Sequence, residues 1–228
     1  MVTLTDEDRR RIAEAVAQSQ AQSCGEIACV LAEEASRYRE VPLAWAAFAA
    51  LVLLPIAVAL GFRPESLSEI VSNWSAEQAE LLHRVVLKAL ASYAIVQVVI
   101  FAIVALLGEV PAVRRAMTPG FVKRHRVRNA ARHHFAALAA RFGDGASVLI
   151  YASRLDRMVE IVTSPAAHGA CDPKVWQAAA KTIGDGLSAG RAGDGFVAGI
   201  EICGVELAKR FAPGAERRGT PPDALVEE

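Results

Sequence analysis

Three aspartates offer the residue type that metal-assisted chemistry needs: Asp144, Asp172 and Asp194. Each falls in a loop beside a predicted strand or helix, so the three could converge at one end of a sheet, where ligands of open α/β folds bind. Hydrolysis of a phosphate ester requires carboxylates that hold a metal and activate water, or a covalent nucleophile with charge-neutralising donors. Aspartate is also favoured in turns, which accounts for Asp144, and at helix N-caps, which accounts for the other two. Both explanations stay open, and the sequence assigns no catalytic residue.

The histidines and cysteines show no zinc-binding or nucleophilic spacing. The sequence has no HExxH pair and no GxGxxG or GxxxxGK string. Its GxSxG string, GLSAG at 186–190, ends a predicted helix instead of joining a strand to a helix, so nucleotide binding and acyl transfer are unsupported. The cysteines, which form no CxxC pattern, are Cys24, Cys29, Cys171 and Cys203. Cys29 and Cys203 lie in apolar runs, which predicts core residues rather than metal ligands. The formal net charge of zero gives no basic excess for nucleic-acid binding.

The elements that must position the aspartates begin with a helix and a buried strand. Thr5 and Asp8 have the spacing of a capping box that begins a helix at residue 6, and Gly25 ends that helix. Residues 26–32 (EIACVLA) form a continuous apolar run, which is typical of a strand buried on both faces. Such a strand needs neighbours. Since the chain next enters a long apolar run, the neighbours must come from beyond residue 110.

The elements after residue 110 complete an α/β pattern. They are two strands at 147–152 and 158–162, a helix at 174–187 that starts at Asp172-Pro173, and a helix at 195–211 that Asp194 opens. We therefore expect one α/β domain that is built from residues 1–40 and 111–212. Residues 213–228 are rich in proline, glycine and charge without periodicity, which predicts a flexible tail.

Two long uncharged runs interrupt this domain, at residues 41–62 and 89–108. A helix rises about 1.5 Å per residue, so roughly 20 residues cover the ~30 Å hydrocarbon core of a bilayer. The first run lacks the polar stripe that a helix packed in a soluble core usually shows. Residues 41–110 are therefore predicted to form a transmembrane hairpin whose first helix is kinked at Pro55.

Positive charge is concentrated outside this hairpin. The flanking cations are Arg37, Arg39, Arg114, Arg115, Lys123, Arg124, Arg126 and Arg128, whereas the connection offers Arg63 and Arg84, with Lys88 just inside the second predicted helix. Lys and Arg near membrane ends favour the cytoplasmic side, which predicts an inner-membrane protein with both termini in the cytoplasm. The helix predicted from Thr118-Pro119 to Gly143 is strongly basic, so we expect it to contact anionic lipid headgroups.

Several short strings resemble those of a known family. They are SCGEI at 23–27, similar to an SGEI entry to the first strand, GDG at 143–145 before VLIY, similar to DNGVLI, RMVEI at 157–161, similar to R-x-VEI, then Trp176 and GDG at 193–195. In this order they resemble the TPM domain family, specifically its short bacterial membrane-protein branch. The resemblance covers nearly the whole chain, with the hairpin inserted after the first strand.

The resemblance implies a three-layer α/β/α sandwich. It also implies functions, because some plant and bacterial relatives are associated with acid phosphatase activity, divalent-metal binding or membrane-protein repair. Asp144 and Asp194 fall on positions of the family's loop acids, which implies a divalent cation such as calcium or magnesium. The family's Thr-Gly-x-Gly-x-Glu segment followed by Asp is replaced here by TSPAAHGACD at 163–172, of which only Asp172 keeps an acid.

Two functions of different classes follow from these features. The first is a non-enzymatic, membrane-anchored interaction module that assists assembly or turnover of other membrane proteins. The second is a membrane-tethered, divalent-metal-dependent acid phosphatase with Asp144, Asp194 and Asp172 at its metal. The expected partners are the lipid bilayer and other membrane proteins, and no nucleic acid.

Overall fold

The computed structural model describes residues 4–36, 38, 40–61, 81–142, 145–213 and 225–227, with the side chains of 81–88 and 140–142 excepted. The helices are α1 (Asp6–Gln22), α2 (Glu40–Phe48), α3 (Leu54–Ala59), α4 (Leu81–Glu109), α5 (Pro111–Met117), α6 (Gly120–Phe142), α7 (Pro165–Ala170), α8 (Pro173–Ser188) and α9 (Ala192–Arg210). The strands are β1 (Glu26–Ala32), β2 (Ser147–Ser153), β3 (Met158–Thr163) and β4 (Leu225–Glu227). They divide into two compact units, Met1–Arg37 with Gly120–Glu228, and Tyr38–Pro119.

The first unit is built around a mixed four-stranded sheet with the order β3-β2-β1-β4. Strand β1 pairs in parallel with β2 along its whole length, from Glu26 opposite Ser147 to Ala32 opposite Ser153. Strand β3 returns antiparallel to β2. The expectation that β1 pairs with strands from beyond residue 110 is therefore confirmed.

The flexible tail predicted for residues 213–228 is wrong at its end. Residues 225–227 form β4, which pairs in parallel with Cys29, Val30 and Leu31 of β1. Three residues are too few to show the periodicity of a strand, and their strand conformation comes from pairing with the edge of β1. Residues 214–224 lie outside the described part of the chain.

Apolar side chains cover both faces of the sheet. Ile27, Cys29 and Leu31 of β1 belong to a first apolar cluster with residues of α1, α8 and α9, such as Ile12, Ile183 and Phe196. The alternate residues Ala28, Val30 and Ala32 belong to a second apolar cluster with Val127 and Ala131 of α6. Because successive side chains of a strand point to opposite faces, this division gives the α/β fold helices against both faces of β1.

The second unit holds the two candidate membrane spans. Residues Glu40–Ala59 and Ala89–Glu109 are helical, with mean hydropathies of 2.3 and 2.6, so each is long and apolar enough to cross a bilayer. A π-helical turn, Ala49–Leu53, lies directly before the turn that contains Pro55. Proline lacks a backbone N–H and so cannot complete the regular hydrogen-bond ladder. The π-helical turn thus lies beside Pro55, where we expected the helix to be irregular. Helices α2 and α4 approach closely at Pro42, where a Cβ on Gly108 would overlap the proline ring.

Candidate functional site

The structure does not bring Asp172 and Asp194 together. Helices α8 and α9 form an antiparallel hairpin, in which Gly186 near the end of α8 meets Gly195 near the start of α9. Asp172 caps the opposite end of α8. A helix of 16 residues is about 24 Å long, so a metal ion cannot bind both carboxylates. The predicted convergence is wrong for this pair, and Asp144 lies outside the described residues.

Asp172 has the structural role that the sequence offered as an alternative. Its Oδ1 accepts a hydrogen bond from the backbone N–H of Lys174 at 2.9 Å, and Pro173 occupies the first helical position. This bond satisfies one of the N–H groups that a helix start leaves without a partner. The predicted N-cap is therefore confirmed.

Asp194 is not an N-cap, contrary to the prediction. Helix α9 begins at Ala192 with Arg191 at its cap position, which places Asp194 in the first helical turn. There its carboxylate pairs with Nη2 of Arg11 at 2.9 Å. The earlier start depends on Gly193, because a Cβ there would overlap the carboxylate of Asp8.

Asp8 is the second carboxylate beside Arg11. Its Oδ2 accepts hydrogen bonds from the backbone N–H of Thr5 at 3.0 Å and from the Thr5 hydroxyl at 2.8 Å. Its Oδ1 lies 3.8 Å from Nη1 of Arg11. The Thr5 backbone bond, the Thr5 hydroxyl and the Arg11 charge lower the pKa of Asp8, against a smaller opposing effect of burial. Asp8 and Asp194 thus share the guanidinium of Arg11.

A small cleft lies at the carboxyl end of β1, where α/β folds place their ligands. It encloses about 230 Å³ and is lined by Leu4, Arg9, Leu31, Ala32, Glu33, Arg154 and Glu227. Glu33 follows β1 directly and Arg154 follows β2 directly, so the parallel pairing brings both side chains to this end of the sheet. The cleft is our candidate functional site.

Ion pairs occupy the charged side chains of the cleft. Arg9 binds Glu227 through two hydrogen bonds, Nε to Oε1 at 2.8 Å and Nη2 to Oε2 at 3.2 Å. Its Nη1 also donates to Oδ1 of Asp6 at 2.6 Å. On the other side, Nη2 of Arg154 donates to Oε1 of Glu33 at 2.8 Å. The hydrogen bonds from Arg9 to Glu227 raise the pKa of the Arg9 guanidinium, so it stays charged at any pH the protein meets.

These residues do not fit a divalent cation. Calcium takes at least six oxygen ligands and magnesium an octahedral set, usually with carboxylates free to bind. In the cleft each glutamate carboxylate already accepts from an arginine. Among the described residues no group of three or more Asp, Glu, His or Cys side chains could hold a metal ion.

The cysteines are core residues or partly buried thiols, as predicted for Cys29 and Cys203. All four are free, and these two are fully buried. Burial raises the pKa of the Cys203 thiol to about 12 and that of Cys29 still further. Both thiols therefore stay protonated, whereas a metal ligand must be a thiolate.

The basic helix α6 presents part of its charge to solvent. Val127 and Ala131 are buried in the second apolar cluster, while Arg124, Arg128 and Arg132 are exposed. Nε of Arg128 donates to Glu160 of β3 at 2.9 Å. Helix α6 thus buries Val127 and Ala131 and leaves these three arginines exposed.

Sequence reasoning missed most of the cleft. Glu33 and Arg154 carried a usable signal, because charged residues that directly follow parallel strands collect at one end of the sheet. The pair between Arg9 and Glu227 carried none, since 218 positions of sequence separate them.

Comparison with known proteins supports the fold and leaves the family untested. No family model matches the chain, and no curated protein matches it. The chain is similar to the NMR structure of the BA42 protein from the psychrophilic bacterium Bizionia argentinensis sp. nov.. The identity is 15% and the TM-score 0.50, over 99% of this chain and 95% of that chain. At this identity the likeness shows an α/β fold alone, and the resemblance to the TPM family stays a prediction.

Proposed function

We propose that this protein is a membrane-anchored, TPM-like domain that acts without catalysis, as an interaction module in the assembly or turnover of other membrane proteins. In this proposal the helices against both faces of the sheet are the outer layers of a three-layer α/β/α sandwich. The hairpin of residues 41–110 holds the domain at the inner membrane.

The observation that carries the proposal is the pairing of charges at the carboxyl end of the sheet. Glu227 and Asp6 bind Arg9, Glu33 binds Arg154, and Asp194 binds Arg11. A hydrolase needs carboxylates that are free to hold a metal or activate water. Here Glu227, Asp6, Glu33 and Asp194 are paired with guanidinium groups, and Asp156 accepts a hydrogen bond from the Ser153 hydroxyl at 2.8 Å. This occupation of the carboxylates favours a binding surface over a catalytic centre.

The exposure of the apolar helices supports the membrane anchor. Leu51 is 63% exposed, Val98 67% and Leu106 70%. Helices of a soluble core bury such side chains, because each fully exposed Leu or Val forgoes about 1.5–3 kcal/mol of burial free energy. Hydrocarbon surrounding these helices removes that cost.

The alternative is a membrane-tethered, divalent-metal-dependent acid phosphatase. One observation favours it: Asp8 and Asp194 lie on either side of Arg11, so two carboxylates from different helices do converge. Displacement of Arg11 would have to precede metal binding.

One pair of experiments separates the two functions. The purified full chain in detergent is assayed for phosphatase activity with calcium, magnesium and manganese, and we expect none above a buffer blank. Metal-dependent activity that falls in Asp194→Asn and not in Asp185→Asn would contradict the proposal, since Asp185 pairs on the surface with Lys181 at 2.7 Å. In parallel, crosslinking in native membranes followed by mass spectrometry should recover membrane proteins with the wild-type chain. Their absence would overturn the interaction role.

A further inference from the structure

Strand β4 occupies the edge of β1 with only three residues. Leu225, Val226 and Glu227 pair with Cys29, Val30 and Leu31. Leu225 packs against the first apolar cluster and Val226 against the second, on opposite faces of the sheet. Glu227 then reaches the guanidinium of Arg9. The edge of β1 therefore recognises its occupant through the occupant's backbone, two of its apolar side chains and one of its carboxylates.

The receiving side of this contact does not depend on β4. Asp6 holds Arg9 at 2.6 Å, and the capping box of Thr5 and Asp8 fixes the end of the helix that carries Arg9. Strand β1 is held along its full length by β2. The edge, the apolar contacts and the guanidinium would thus remain in place without the tail, as a preorganised site requires.

The chemistry of the site defines its ligand. An exposed strand edge binds an extended peptide through main-chain hydrogen bonds, while alternate side chains supply specificity. The planar guanidinium of Arg9 binds a carboxylate with two parallel bonds, which a lysine could not reproduce. The matching ligand is an extended segment with the pattern apolar–apolar–acidic, lying parallel to β1.

We propose that the edge of β1 together with Arg9 is a peptide-binding groove for such a segment of a partner membrane protein, and that residues 225–227 are a resident occupant that the partner displaces. The contact of β4 is small, because it consists of three paired positions and one ion pair in which the Arg9 and Glu227 side chains are 48% and 38% exposed. A competing segment can displace a contact of this size. The inference rests on the proposed interaction function and names the surface that performs it.

The test uses the full chain in detergent and a fluorescein-labelled peptide with the sequence DALVEE of residues 223–228. Glu227→Arg places a second cation beside Arg9 and weakens the resident strand. Because an attached competitor acts at an effective concentration on the order of millimolar, we expect this variant to bind the peptide at least about tenfold more tightly than wild type in fluorescence anisotropy. Adding Arg9→Glu to Glu227→Arg restores the pair with its charges exchanged, and should again close the groove to the peptide.

Matched controls isolate the role of Arg9. In the Glu227→Arg background, Arg9→Ala should abolish peptide binding and Arg10→Ala should leave it unchanged, because Arg10 is 71% exposed and pairs with Glu7 at 3.7 Å. A peptide with lysine in place of its first glutamate should not bind. Equal affinity for wild type and Glu227→Arg, or binding that Arg9→Ala does not weaken, would overturn the proposal. So would a dimer, measured by light scattering, in which two copies exchange residues 225–227.

The same variants separate this inference from the proposed function. If membrane proteins crosslink equally to wild type and to Arg9→Ala while the peptide fails to bind, the proposed peptide-binding groove is contradicted and the interaction function stands. If the peptide binds as expected but no membrane protein crosslinks to the wild-type chain, the interaction function is wrong.

Discussion

At the scale of single residues, the same amino acid has different roles according to what the fold places beside it. Asp172 is a helix cap that the Asp-Pro dipeptide predicts, because both cap and proline act within one turn. Asp194 has similar local sequence signals. Its place within the helix depends instead on the close contact between Gly193 and Asp8, which lies far away in the sequence, and a residue with a Cβ could not make that contact. Local chemistry could be predicted here, and long-range contact could not.

Asp8 should make the stability of the protein depend on pH. Its pKa is lowered in the folded chain from an ordinary value of 3.8, so it stabilises the fold fully above that value. The contribution is lost as the pH falls through the lower, folded pKa. We expect Asp8→Asn to reduce the free energy of unfolding by about 0.5–1 kcal/mol at pH 7, and the difference to shrink as the pH falls below 3.8. Urea unfolding of the two proteins in detergent, followed by circular dichroism across this range, measures it.

The control for this pH dependence is Glu7→Gln. Glu7 is on the same helical turn but lies in solvent, 69% exposed, and is 3.7 Å from Arg10. Its replacement should change the unfolding free energy by less than half as much. An equal effect of both substitutions would assign the contribution to the general charge of the turn rather than to the capping box.

At the scale of elements, the hairpin of α8 and α9 is packed through glycines. A Cβ on Gly186 would lie 2.7 Å from Cα of Gly195, so the two backbones touch where the helices turn. A Cβ on Gly199 would meet Ile183. This close packing aligns the two helices against the first apolar cluster and sets the antiparallel arrangement that separates Asp172 from Asp194.

Two neighbouring glycines of α8 should respond in opposite directions to alanine. Gly186→Ala forces a Cβ into the backbone of α9, and overpacking of this kind costs about 1–3 kcal/mol. Gly184→Ala meets nothing within 4 Å, so it should stabilise the helix by up to about 1 kcal/mol through the lower conformational entropy of the unfolded chain. Thermal unfolding of both variants beside wild type checks the prediction. A stabilising Gly186→Ala would show that the helices can separate without cost.

The basic helix α6 should retain anionic lipid. Arg124 and Arg132 are exposed, and α6 begins three residues after α5. Each cation near an anionic surface contributes about 1 kcal/mol, so exchanging both for glutamate should weaken lipid retention by at least about tenfold at low salt. Native mass spectrometry of the chain from phosphatidylglycerol nanodiscs counts the retained lipids. Arg10→Glu on α1 is the control, and an equal loss there would make the effect one of net charge.

At the scale of the whole molecule, the sequence predicted the division of the chain better than its site. Long apolar runs identify the second unit without reference to anything else, and the buried strand β1 required partners from the other side of that unit. The three-residue strand β4 escaped prediction because its conformation comes from the edge of β1 and not from its own residues. The cleft escaped for the same reason, since Glu227 reaches Arg9 only through that strand.

For the proposed membrane anchor, the pairing of β1 with β2 also constrains which sides of the membrane the flanking segments occupy. Seven positions of β1, before the hairpin, are paired with seven of β2, after it, so both flanks must lie on the same side. Lys and Arg near the membrane ends then decide which side. Arg37 and Arg39 precede the first run and six cations follow the second, Arg114, Arg115, Lys123, Arg124, Arg126 and Arg128. The Lys and Arg residues between the two runs are only Arg63, Arg84 and Lys88.

We therefore expect both termini in the cytoplasm and the connection between the runs outside. Alkaline phosphatase folds to an active enzyme only where disulfides form, outside the reducing cytoplasm. Fused after Glu228 it should be inactive, while a fluorescent protein at the same place should be bright. Phosphatase inserted within residues 64–80 should be active, which controls for expression and insertion. Active phosphatase with a dark fluorescent protein after Glu228 would reverse the orientation, and activity at both positions would show that the second run does not cross the membrane.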